Sequence, residues 1–251
     1  MNRFSLLFVI LFAVAFCSGQ NFYFKTEVNI EGVPAMFAKM GKSTSDFYQK
    51  GNKIKTASTV MNATQEVISL EDQVTITNTH EPKCALITRA ELVEDSLEND
   101  VKATDVSAEK TSETEKFLGY TCAKTIVRYK IDGFEHQSNY WCTKEINAPK
   151  PAKKPLEYTK RNSLFVVMQQ LDGFPLKTET IMNFNGMKTI STVTEVNTKE
   201  IDDAVFEPLT GLCKKPMNMA AYKQELLRQK IEAKMMNNGN MYNGSGPARR
   251  R

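Results

Sequence analysis

Apolar and polar side chains alternate from Phe22 to Ile30: Phe22, Phe24, Thr26, Val28 and Ile30 share one face, and Asn21, Tyr23, Lys25, Glu27 and Asn29 the other. A period of two is that of a strand with one buried face. Strands are predicted again around Phe47, from Lys53 to Met61 after the turn signal KGNK, and over Glu66 to Leu70, Val74 to Thr79 and Ala85 to Thr88. Short runs separated by turn residues predict a meander of antiparallel strands.

The second half repeats the theme with longer elements. Residues 120–142, YTCAKTIVRYKIDGFEHQSNYWC, read as a hairpin about Asp132-Gly133. Two alternating runs between Leu176 and Val196 flank Asn185-Gly186, the preferred pair of a two-residue hairpin turn. That hairpin places Leu176, Thr178, Thr180, Met182 and Phe184 on one face with Met187, Thr189, Ser191 and Val193, while Lys177, Glu179, Asn183 and Lys188 lie opposite, relieved only by Ile181 and Ile190. One dry and one wet face suit an antiparallel sheet covered on a single side.

Helical signals are fewer. In NSLFVVMQQLDGFP, Asn162 or Ser163 supplies a cap, Leu164 to Leu171 the body, and Gly173 and Pro175 the stop. Past Cys213, apolar residues recur at Tyr222, Leu226 or Leu227, Ile231 and Met235, predicting an amphipathic helix within residues 213–236. Residues 237–251, a basic tail, are expected to be disordered. Residues 91–115 carry nine acids against Lys102 and Lys110, and after a helical start through Leu92 and Leu97 they lack apolar periodicity. They read as an acidic, solvated linker.

Composition adds the compartment. Arg3 precedes an uninterrupted apolar run from Leu6 to Phe16 and then small residues, the pattern of a secretory signal peptide over residues 1–19. Nothing after Gly19 approaches the roughly 20 apolar residues of a membrane-spanning helix, so the mature chain is expected to have no transmembrane segment. A lipid anchor at Cys17 is less favoured, because bulky Phe16 precedes it. The expected location is periplasmic, cell-envelope or extracellular. The formal charge is +4, or +3 without the leader, so no strong field selects a partner. Residues 20–212 then form one domain of ordinary size.

Known chemistries are poorly served. Gly41-Lys42-Ser43 imitates the end of a phosphate loop, but Met36 stands where its first glycine belongs. His80 and His136 are the two histidines from which any triad or zinc site would have to draw, and Pro82 interrupts the path from His80 to Cys84. A cofactor-free non-enzyme is the expectation. The cations around Lys150 to Arg161 lie in a proline-broken loop, and no sustained basic stripe points to nucleic acid.

Four cysteines remain after the leader, Cys84, Cys122, Cys142 and Cys213, allowing three full pairings. If Asp132-Gly133 is a two-residue turn, Cys122 faces Thr143 and the two hairpin cysteines lie on opposite faces. If the loop is Ile131-Asp132-Gly133, Cys122 faces Cys142 directly. Only the second register permits a bridge, and it also turns Lys124, Arg128, Lys130, His136 and Ser138 outward with Ala123, Val127, Tyr129, Ile131 and Trp141 inward. On that basis a Cys122–Cys142 disulfide is predicted, with Cys84 and Cys213 paired or free.

Taken together, FLGYTCAKTIVRYKIDGFEHQSNYWCTKEI, LDGFPLKTETIMNFNGMKTISTVTEV, IDDAVFEPLTG and FYQKGNKIKT resemble the elements of an exported bacterial domain family of unknown function, the DUF4412 type. The resemblance covers roughly residues 22 to 212. It implies a mainly β, β-rich α+β fold: an antiparallel sheet curved into an open half-barrel with a few helices on its concave face, like the lipoprotein carriers LolA and LolB. Cys142 departs from the family, which commonly has an aromatic there, and the helix and tail beyond residue 213 are additional.

Two functions follow as expectations. In the first, Phe22, Phe24, Val28, Trp141, Leu164, Phe165, Met168, Met182, Phe184 and Met187 line a slot between sheet and helices for a lipid or other apolar ligand, methionine adapting to variable chains. In the second, the chain is a structural or interaction component of the envelope or extracellular surface. Any one of these side chains is also the ordinary filling of a dry sheet face.

Overall fold

The computed structural model describes residues 21–32, 41–79, 83–88, 91, 103–131, 133–148, 167–182, 187–208, 213, 215–225, 227–228 and 231. They build eleven strands: β1 (Asn21–Glu31), β2 (Lys42–Lys50), β3 (Lys53–Val60), β4 (Ala63–Ser69), β5 (Gln73–Asn78), β6 (Lys83–Thr88), β7 (Ala103–Phe117), β8 (Tyr120–Ile131), β9 (Phe134–Thr143), β10 (Phe174–Met182) and β11 (Met187–Asn197). A 3-10 turn, η1 (Asp203–Phe206), follows. Residues 219–225 are helical and are called α1. The α1 start is capped by Asn218, whose Oδ1 accepts from the Ala221 amide at 2.9 Å.

The strands join into one antiparallel sheet of order β6-β5-β4-β3-β2-β1-β11-β10-β9-β8-β7. The chain lays down β1 to β6 toward one edge, crosses to the far edge at β7, and returns so that β11 pairs with β1. That crossing explains the curvature. Ten strand spacings of about 4.8 Å would hold the edges of a flat sheet roughly 48 Å apart. Thr88 and Ala103 also lie at opposite ends of their strands, since Thr88 pairs with Gln73 and Ala103 with Ile131. Fifteen extended steps reach about 50 Å at most. Part of that reach is spent on a helical turn at Thr88, which exchanges hydrogen bonds with Glu91 in a capping box. A flat sheet is therefore out of reach, and the sheet curls into an open half-barrel.

Two expectations are corrected. Residues 103–115, read as linker, belong to the edge strand β7. An edge strand shows little apolar alternation because it shuns further pairing. Its acids instead meet β8 across the ladder, with Glu109 on Arg128 at 2.9 Å, Glu113 on Lys124 at 2.8 Å and Asp105 on Lys130 at 2.9 Å. In the last hairpin Met182 pairs with Met187 and Thr180 with Thr189, two residues away from the register that Asn185-Gly186 predicts. A slip of two preserves every face. The turn itself, residues 183–186, lies outside the described residues.

The two faces differ sharply. The face with Phe22 and Phe24, called the aromatic face, continues through Phe47, Thr56, Val67, Ile76 and Ala85 on one side. On the other it runs through Val193, Thr178, Tyr140 and Thr125. Helical segments cover its flanks: Met219 and Tyr222 of α1 pack on Val67, Val74, Ile76, Ala85 and Ile87, while Val167 and Met168 pack on Val127, Tyr129, Ile131 and Tyr140. The opposite, charged face carries Tyr23, Lys25, Asp46, Lys55 and Glu66, with η1 laid over part of it.

Among the described residues, α1 is docked through Met219 and Tyr222. Leu227 is 58 % exposed and Ile231 45 % exposed. Residues 161–166 and 237–251, which hold the rest of the predicted first helix and the basic tail, fall outside the described residues.

Candidate ligand-binding site

Between the two helical covers, the aromatic face changes character along the strands. At one end it is filled: Phe24 stacks on Phe47 with centroids 4.8 Å apart, and Phe174 meets Phe22 and Phe24 edge-on at 5.3 Å each. Leu176 and Phe22 are fully buried beside them. Each such side chain contributes about 1.5 to 3 kcal/mol by leaving water.

Toward the other end the side chains shrink. Ser43 and Ser45 on β2, Ser58 on β3, Ser191 and Thr189 on β11, and Thr178 on β10 occupy the positions that register places on this face. All are half-buried. Small side chains beside a wall of phenylalanines leave a trough, bordered by Val28, Ile30, Val60 and Met187.

Some hydroxyls of this face are turned on one another. Ser45 Oγ and Ser58 Oγ lie 2.7 Å apart, Ser138 Oγ and Thr180 Oγ1 2.9 Å, and the Tyr129 hydroxyl meets Ser138 Oγ at 3.2 Å. Gln65 is drawn aside to the Tyr222 hydroxyl of α1. A hydroxyl already paired needs no ligand group, so the Ser45–Ser58 pair makes no demand for a polar ligand at its part of the floor. Thr56 Oγ1, buried at the packed end, has no partner.

The residues expected to hold a ligand are thus divided by the structure. Phe22 and Phe24 fill the core, Val28 and Met187 border the trough, and Met168 packs on its flank against the β8–β9 cluster. Met182 stands on the aromatic face by register, opposite Met187 and His136. Leu164, Phe165 and Phe184 lie outside the described residues. Phe47, Phe174 and the serines were missed. The repeated small residues of STSDF and TASTV were the available signal, since a strand face rarely stays small without something lying over it.

Trp141 is a correction. It pairs with Lys124 and Lys177, on the face opposite Tyr140, and both ammonium groups stand near its ring, 5.5 and 4.6 Å from the centroid. With a bulge between Pro175 and Lys177, it still belongs to the same buried cluster as Phe22, Phe24 and Phe174.

The predicted disulfide is also overturned. Ile131 pairs with Phe134, so Asp132-Gly133 is a two-residue connection and Ala123, not Cys122, faces Cys142. Gly133 takes φ +80°, which suits such a turn. Cys122 and Cys142 are buried thiols pointing to opposite faces, and the bridge joins Cys84 to Cys213. The one-residue change also turns His136 and Ser138 inward: His136 is 8 % exposed and stacks on Tyr129 at 5.5 Å. Burial lowers the pKa of its imidazole. Burial raises the two thiols, Cys122 to about 11 and Cys142 to about 12. Native protein at mildly alkaline pH should therefore leave both unlabelled by a thiol reagent, whereas denaturant exposes both. Peptide mapping without reductant should recover Cys84 joined to Cys213; Cys122 joined to any other cysteine would refute the register.

Among the described residues no three His, Cys, Asp or Glu side chains converge as a metal site. No helix among them is long and apolar enough to cross a membrane.

A family model described as "Domain of unknown function (DUF4412)" matches residues 31–211. No curated protein matches the chain. Among solved structures, PNGF-II is 16% identical with a TM-score of 0.41, covering 82% of this chain and 32% of its own. The chain thus spans about a third of PNGF-II. An uncharacterized conserved protein from Thermus thermophilus is 7% identical with a TM-score of 0.45, covering 80% and 90%. A LolA superfamily protein from Nitrosomonas europaea is 6% identical with a TM-score of 0.33, covering 83% and 98%.

Proposed function

The chain belongs to the DUF4412 family, a domain of unknown function, and from its geometry we propose that it is an exported, non-enzymatic binding protein that holds an apolar, lipid-like ligand. The trough on the aromatic face carries this reading. Its floor is made of small side chains, its deeper hydroxyls are already paired, and Val28, Ile30 and Met187 border it. An acyl chain is complementary to such a surface because it asks for no hydrogen bonds and profits from every Å² removed from water. Export is supported by the leader pattern and by a disulfide that closes a large part of the chain.

Lipid extraction and mass spectrometry of purified protein, followed by titration of the stripped protein with a fluorescent fatty acid, test the proposal. Saturable uptake is expected. Ser45→Phe should weaken it by about tenfold or more, since a phenyl group would fill the trough, while the lost Ser45–Ser58 contact costs folding only about 1 kcal/mol. A protein that purifies empty and takes up no probe would sink the idea.

The envelope-interaction reading keeps one observation in its favour, the exposed Leu227 and Ile231 beyond the docked part of α1. Truncation after residue 225 separates the two functions: ligand uptake should survive it under the binding reading.

A further inference from the structure

The charged face holds a depression of its own, independent of the trough. It lies between the sheet and the strap that contains η1, and its volume is about 400 Å³. The strap is pinned at several points. Lys50 Nζ donates to the Ile201 carbonyl at 2.9 Å, Lys50 and Lys53 pair with Asp203 at 3.1 and 2.8 Å, and Ile201 and Phe206 are buried against Ile68. The strap is therefore a fixed wall of an open depression.

Its floor follows from register. Asp46, Ala57 and Glu66 face one another across β2, β3 and β4, and Tyr48 and Lys55 form the next row. Alanine between two carboxylates leaves the depression. Glu66 is 6 % exposed; its Oε1 receives Lys55 Nζ at 2.7 Å, and its Oε2 has no hydrogen-bond partner. Asp46 Oδ1 accepts the Tyr23 hydroxyl at 2.8 Å. Glu207 stands on the wall beside Val205 and Pro208.

Acceptors here outnumber donors. Asp46, Glu66 and Glu207 face one lining cation, Lys55. On neighbouring strands Glu195 and Lys25 stand opposite each other in the ladder, one charge of each sign, so together they leave that balance unchanged. Burial and the nearby carboxylates also raise the Tyr48 phenol, which keeps it neutral. A ligand that brings N–H donors and positive charge completes such a site, and its alkyl part can lie on Val205 and Pro208. The Tyr23–Tyr48 ring pair, with centroids 4.8 Å apart, adds aromatic surface that favours a cation.

We propose that this depression binds a small organic ammonium compound of the diamine class, separately from the apolar ligand of the other face. The test is titration of the full chain with 1,4-diaminobutane, and with 1,4-butanediol as its neutral counterpart, followed by amide NMR shifts. Saturable shifts at Ala57, Glu66 and Val205 are expected with the diamine and none with the diol. Ala57→Leu fills the depression and Glu207→Gln removes one exposed charge; each should weaken diamine binding, Ala57→Leu by about tenfold or more. Fatty-acid uptake should be unchanged in both, so failure here is distinguishable from failure of the trough. Equal shifts with diamine and diol, or diamine affinity untouched by both variants, would overturn the proposal. Glu207→Gln decides the matter if Ala57→Leu does not fold.

Discussion

Gly173→Ala is expected to destabilise the fold by about 3 kcal/mol or more, lowering the melting temperature by roughly 6 to 12 °C. Two penalties coincide at this position. Gly173 has φ +125°, a conformation that side chains rarely adopt, and a Cβ there would lie 2.4 Å from the Thr143 carbonyl oxygen and 2.8 Å from its carbon. Those contacts are with backbone, so no side-chain rotation relieves them. The strand start must move instead. Phe174 follows immediately, paired with Thr143 and wedged edge-on against Phe22 and Phe24, so a shift opens the phenylalanine cluster that closes the trough. Just before it, Asp172 holds Lys110 and Lys144 at 2.8 and 2.7 Å, which ties the same turn to β7 and to the end of β9. Gly119→Ala supplies the contrast. Its φ is +85° but a Cβ would meet nothing within 4 Å, so it should cost only about 1 to 2 kcal/mol. Equal losses for the two variants, measured by thermal and urea unfolding, would show that close packing at Thr143 is not what demands the glycine.

The glycine was legible in the sequence as a helix stop, but its second role was not, because the partner backbone is thirty residues away. The same division runs through the molecule. Strand patterning located β1 to β6, β8, β9, β10 and β11, since each has at least one face packed against something apolar. It missed β7, whose ladder is held by ion pairs to β8 and whose burial pattern is mostly exposed. The β8–β9 register turned on one loop residue, and outward lysines fitted either choice. What decided it was the chance to bury Ser138, Tyr129 and Thr180 as a hydrogen-bonded set, a gain that no local pattern reports. For the candidate site, the border residues Val28 and Met187 were readable and the floor was not: Ser45 and Ser58 look like surface residues until β2 and β3 are set side by side.

Removing the Cys84–Cys213 bridge should have the largest effect on stability. The bond closes a loop with a sequence separation of 129, and on the chain-entropy account a closure of that size is worth about 4 to 5 kcal/mol. It also secures an edge. Cys84 lies on β6, where the Met217 amide donates to the Cys84 carbonyl at 2.8 Å and the Leu86 amide to the Met217 carbonyl at 2.9 Å, so the chain after Cys213 caps an otherwise open ladder. Met219 and Tyr222 then cover Val67, Ile76 and Ala85. With Cys84→Ser and Cys213→Ser combined, the unfolding midpoint in urea should fall by an amount equivalent to about 4 kcal/mol, and limited proteolysis should cut first between residues 213 and 225. Reductant should shift the native protein to the same midpoint and leave the double variant where it is. A native midpoint indifferent to reductant, together with thiols at Cys84 and Cys213, would refute the bridge. An intact midpoint with an early cut at α1 would instead assign the bond to docking of the C-terminal segment alone, because the eleven-stranded ladder and its phenylalanine cluster would then stand without it.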